Sequence, residues 1–100
     1  MAAELKQIWK YPWPATNRMG PDKVAKFQMP KGAKTLTVQN QNGWPQFWAL
    51  VSPNEPMVER EFHLFGTGHD LNDDIDPNAY VGTFQMHDGQ LVLHVFEACA

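Results

Sequence analysis

Two dipeptides constrain this chain more than any other feature: Asn42-Gly43 and Asp88-Gly89, each set between stretches of alternating apolar and polar residues. A two-residue hairpin loop needs positive φ at both central positions, and Asn-Gly and Asp-Gly adopt that conformation with the least strain. TLTVQNQNGWPQFWALV and YVGTFQMHDGQLVLHVFE are therefore expected to form two type I′ hairpins. Pairing outward from the first turn sets Gln41 opposite Trp44, Val38 opposite Phe47 and Leu36 opposite Ala49. In the second, Met86 faces Leu91, Phe84 faces Leu93 and Gly82 faces Val95.

Side chains alternate across a strand, so each register defines two chemically distinct faces. One face of the first hairpin is apolar (Leu36, Val38, Phe47, Ala49, Val51), as is one face of the second (Phe84, Met86, Leu91, Leu93, Val95). The opposite faces are mixed. The first carries Thr35, Thr37, Gln39, Gln41, Trp44, Gln46, Trp48 and Leu50; the second carries Val81, Thr83, Gln85, His87, Gln90, Val92, His94 and Phe96. Two apolar faces meeting over one core predict an all-β fold: a small antiparallel β-sandwich or open barrel of about six to seven strands.

The rest of the chain agrees. Eight prolines and seven glycines leave no window for a long helix. Residues 5–11 (LKQIWKY) read as a strand, although Leu5, Ile8 and Trp9 also suit one face of a short helix. Residues 24–29 alternate with Ala25, Phe27 and Met29 on one side. Residues 58–65 direct Val58, Phe62 and Leu64 inward, with Arg60 near the edge. At 100 residues the chain is expected to be a single domain, 1–100.

Composition narrows the class. With 43% hydrophobic and 19% charged residues this is a globular chain. It contains one cysteine, Cys99, so an intramolecular disulfide and a cysteine-based zinc site are excluded. No apolar run approaches a membrane span and the first residues lack a signal-peptide core, which predicts a cytoplasmic protein without membrane contact. Seven of the eight basic residues fall in the first 34 positions, and nine of the eleven acids follow them, for a net charge of -3. Such asymmetry steers an anionic ligand or complements a second copy of the chain.

Catalytic signatures are weak. DLNDDID lacks the glycine and terminal glutamate of an EF-hand loop, so no metal is assigned. Ser52 sits in a turn, Glu59 and Glu61 share a solvent face, and Cys99 is terminal, a poor place for a positioned nucleophile. GTGHD (66–70) is a Gly-rich loop after a strand, with Thr67 and His69 available to a phosphate. His94 faces Thr83 on a sheet surface. Four tryptophans are the other resource, and Trp44 and Trp48 point away from the core, beside amides that suit the edge of a base.

The pieces IWKYP (8–12), MPKGAKTLTVQNQNGWPQFWALVSP (29–53), FGTGHDL (65–71) and YVGTFQMHDGQLVLHVFE (80–97) together resemble a set of short, uncharacterised proteins encoded by phages and prophages. Their order and spacing agree over most of the chain, while PWPATNRMGPDKVAKF is longer and more variable than the pattern. The resemblance carries no established activity or catalytic residue. It implies a bacterial host cytoplasm during infection and an accessory gene, a context in which counter-defence factors are common.

These readings combine into one expectation: a non-enzymatic phage protein without a cofactor that sequesters a small nucleotide-like ligand and so counters bacterial immune signalling. Trp44 and Trp48 would stack, Thr67 and His69 would contact phosphate, and His94 would read polar groups. One alternative is an inhibitor that uses the same aromatic face against a host defence protein; another is a nucleotide-cleaving enzyme centred on His69 and His94. Specific nucleic-acid binding is not expected, because no continuous basic motif accompanies the aromatics. A homodimer is expected, with Trp44 or Trp48 losing exposure on association.

Overall fold

In the computed structural model, which describes residues 5–16, 20–71 and 73–98, the prolines and glycines separate seven strands. These are β1 (Gln7–Pro12), β2 (Val24–Pro30), β3 (Lys34–Gln41), β4 (Trp44–Val51), β5 (Met57–Gly66), β6 (Tyr80–Met86) and β7 (Leu91–Glu97), with one 3-10 turn at Pro77–Ala79. They form two antiparallel sheets, ordered β1-β4-β3 and β2-β5-β7-β6, which pack as a small β-sandwich. The helical option for the first segment is not realised: β1 pairs with β4 without interruption from Gln7↔Val51 to Pro12↔Gln46. Cys99, Arg18 and Asn72 lie outside the described residues.

The first hairpin turn takes the expected two-residue form; the second has the expected positive φ at Asp88 and Gly89, but it extends to His87, so that four residues separate β6 from β7. Asn42 and Gly43 have φ of 55° and 89°, and Asp88 and Gly89 have φ of 55° and 87°; His87 joins them at 54°. Next to the turns the registers hold, with Val38↔Phe47 and Phe84↔Leu93. Farther out a β-bulge interrupts each hairpin. Between Thr35 and Thr37 the ladder slips, so Thr35 rather than Leu36 faces Ala49. Leu36 is the extra residue and lies 43% exposed, which corrects its place in the core. The second slip, between Tyr80 and Gly82, leaves Gly82↔Val95 intact but puts Tyr80 opposite Phe96. Val81, expected on the outer surface, packs against the core instead.

The core is aromatic at its centre. Phe47 of one sheet meets Phe27 and Phe62 of the other at centroid distances of 4.9 and 4.8 Å, and all the inward side chains of β4 are buried. Trp13 closes one end; it is buried and its Nε1 donates to the Asp22 carbonyl at 2.6 Å. Leu91 and Leu93 depart from expectation, Leu91 being 37% exposed and Leu93 partly buried. The reason is the sheet's end: β5 pairs with β7 only as far as Gly66↔Leu93, so the hairpin tip projects beyond its neighbour. Arg60 also points inward, where its guanidinium forks onto the Glu97 carboxylate at 2.6 and 2.7 Å and bonds the Ala33 carbonyl.

The two sheets approach each other most closely along β3 and β6. Asn40 Nδ2 donates to the Gln85 carbonyl at 3.0 Å, bridging the strand edges. The opposite side, between β1 and β2, is closed by side chains, with Tyr11 and Trp13 meeting Phe27 edge-on at 5.7 and 5.8 Å. The fold thus leaves two outer surfaces, one on each sheet.

Candidate functional site

The outer surface of the three-stranded sheet follows from the perfect alternation of β4. Phe47, Ala49 and Val51 turn inward, leaving Trp44, Gln46, Trp48 and Leu50 half-buried on the outside. Pairing sets Ile8, Lys10 and Pro12 of β1 beside them on one flank, and Lys34, Thr37, Gln39 and Gln41 of β3 on the other. The charged residues at these positions are Lys10 and Lys34, both basic. Trp44 is held by its Nε1, which donates to the Trp13 carbonyl at 2.7 Å. Lys10 faces Trp48 and Gln41 faces Trp44, yet Lys10 Nζ donates to Gln41 Oε1 at 3.1 Å. The lysine arm therefore crosses over β4, from the Trp48 level to the Trp44 level.

A different chemistry occupies the outer surface of the four-stranded sheet. His94 Nε2 lies 2.7 Å from Thr67 Oγ1 and His94 Nδ1 lies 2.8 Å from Thr83 Oγ1. Thr83 Oγ1 in turn meets the Tyr80 hydroxyl at 2.5 Å. The result is a continuous chain of hydroxyls through one imidazole, ending on a tyrosine that is 51% exposed. Phe96 flanks it, 5.4 Å from Tyr80 and 6.0 Å from Phe65. His63, buried on this face, bonds Glu61 Oε2 through Nε2 at 2.7 Å. That bond holds the Glu61 carboxyl below the usual carboxylate range.

A cleft of about 480 Å³ opens at the end of this sheet, lined by Lys23, Val24, His63, Phe65, His69 and Leu93 among others. His69 folds back over Gly66, whose N–H donates to His69 Nδ1 at 3.3 Å, and a Cβ on Gly66 would lie 2.9 Å from the ring. The His69 N–H bonds the Gly66 carbonyl at 3.1 Å. Two N–H groups of the GTGHD loop are thus engaged within it. Among the described residues no cluster of histidine and acidic side chains is placed to hold a metal ion.

The five residues singled out from sequence therefore divide. Trp44 and Trp48 share one sheet surface; Thr67 and His94 are bonded to each other on the other sheet, and His69 lies at its cleft. Sequence reasoning passed over Lys10, because assigning it to the tryptophan face requires knowing that β1 pairs with β4. It also passed over Tyr80, which only the bulge turns outward. The alternation of TFQMHDGQLVLHVF did contain the signal for the His94–Thr83 pair.

The chain belongs to a family described as a domain of unknown function (DUF7352), whose sequence profile matches residues 5–100. No curated protein and no solved structure matches it.

Proposed function

We propose that this member of the DUF7352 family is a non-catalytic binding protein that holds a small nucleotide-like ligand on the outer surface of β1-β4-β3. One observation carries the reading: the charged side chains on that surface, Lys10 and Lys34, are both basic, and they surround two half-buried indoles and three glutamines. Indoles offer flat apolar area for a base, amides pair with its edge, and ammonium groups attract phosphate. The central strand β4, paired on both sides, presents its indoles and Gln46 with little ordering cost.

Sequestration is the action proposed, in a bacterial host cytoplasm and in the service of a phage; the support for that setting is the resemblance to short phage proteins. No helix among the described residues is long and apolar enough to cross a membrane. A homodimer belongs to the same proposal. β1 is an edge strand with Ile8 62% exposed, and pairing it with a second β1 extends the surface across both copies.

The test is a thermal-shift screen against mononucleotides, dinucleotides and ADP-ribose species, with light scattering on the free protein. The expected result is a dimer whose melting temperature rises with ligand concentration by mass action, from which the ligand is recovered chemically unchanged after denaturation. Absence of any shift at millimolar nucleotide rejects the reading. Turnover abolished by His69→Ala or His94→Ala replaces it with the enzyme.

A further inference from the structure

Granting that reading, we infer that the ligand has two planar rings joined by an extended anionic linker: two nucleosides connected by a pyrophosphate, not a single nucleotide. The argument is one of spacing. Trp44 and Trp48 are four residues apart on one strand, with their side chains on the same surface. The strand's ladder with β3 runs without a slip from Gln41↔Trp44 to Thr37↔Trp48, so a rise of ~3.3 Å per residue separates the two anchor points by about 13 Å. One base cannot stack on both indoles. Neighbouring nucleotides of a stacked strand do not fit either, since they repeat every ~3.4 Å.

What lies between the indoles is suited to a linker. Gln46 occupies the intervening outward position, and the Lys10 arm crosses β4 there to reach Gln41. An ammonium has three donors, and the bond to Gln41 uses one, leaving two for phosphate oxygens. Beside each indole stands a side chain able to read a ring edge: Gln41 is paired with Trp44, and Thr37 with Trp48. The surface thus reads ring, anion, ring along the strand direction. Lys34, next to Leu50, adds positive charge beyond the Trp48 end. A mononucleotide would leave one indole and its neighbouring polar group unused.

Calorimetric titration with AMP and with NAD as probes decides the matter. The expected result is NAD binding about 10- to 100-fold more tightly than AMP, the increment of one added stacking contact. Trp44→Ala and Trp48→Ala should each bring NAD down to the AMP level, while Trp44→Phe and Trp48→Phe, which keep a ring and protect folding, should retain most of the advantage. Lys10→Met should weaken NAD more than AMP and reduce the salt dependence of NAD binding. Equal affinity for AMP and NAD, or an effect confined to one tryptophan, overturns the two-ring inference and leaves the nucleotide reading standing. No binding of either probe or of any other nucleotide overturns that reading itself.

Discussion

Gly82 on β6 lies against Val38 on β3 so closely that a Cβ at position 82 would be 2.8 Å from Val38 Cγ1. Val38 is buried and β-branched, so it has no flexible end to withdraw. Gly82→Ala should therefore destabilise by about 1–3 kcal/mol through overpacking where the two sheets meet. In denaturant melts, the double variant Gly82→Ala with Val38→Ala should lose less than the sum of the single losses. Strict additivity would show that the two residues do not share this contact in solution.

The Arg60–Glu97 pair faces the interior with side chains 18% and 25% exposed, where a forked guanidinium–carboxylate bond is only partly screened. Removing one partner leaves a half-buried charge and frees the Ala33 carbonyl. Arg60→Met should cost about 1–3 kcal/mol, and adding Glu97→Leu should restore much of it, since a buried pair exchanges favourably with apolar side chains. Chemical denaturation of the three proteins measures the difference. A double variant weaker than Arg60→Met would refute the account.

Tyr11 stacks on Phe47 at 5.0 Å, and its buried hydroxyl has no hydrogen-bond partner among the described residues. Burial pushes the phenol's pKa above its ordinary value of 10.0, with Arg60 partly opposing the shift. Tyr11→Phe should be neutral or stabilising by up to about 1 kcal/mol, because it removes an unpaired polar atom and keeps the ring. The sign with pH follows. A raised pKa means that the neutral phenol's contribution is complete below the ordinary value and is lost as pH rises through the folded one. Wild-type melting temperature should fall at alkaline pH more steeply than that of Tyr11→Phe, and parallel curves would contradict the assignment.

Glu61 presents the opposite sign. Its carboxyl is lowered first by the hydrogen bond from His63, with Lys26 adding attraction at 4.0 Å. The stability this provides is present above the ordinary carboxylate range and disappears as pH falls through the lowered value. Melting curves of wild type and Glu61→Gln should therefore differ at neutral pH and converge in acid. Curves equally separated at every pH would mean that charge is not the cause.

Reading the sequence worked where a local rule governed the backbone. Asn42-Gly43 and Asp88-Gly89 impose positive φ, which sets the turns and, through the turns, the pairing of Val38 with Phe47 and of Phe84 with Leu93. From that pairing came the all-β class, most of the core and the outward direction of Trp44 and Trp48. It ran out at Leu36 and Tyr80, where a bulge adds one residue and inverts the faces beyond it.

The candidate site divides along the same line. The residue types were set by the sequence alone: indoles and glutamines alternating on one hairpin, histidine opposite threonine on the other. Only the tertiary structure decided which of them meet. Lys10 comes to lie over β4 because β1 pairs with that strand, which lets it reach Gln41 across 31 positions of chain, and Thr67 reaches His94 across 27. Turns are written in the φ preferences of adjacent residues. Contacts between distant strands depend instead on how two sheets bury their apolar faces together, and it is that packing which puts the tryptophans on one surface and the histidines on the other.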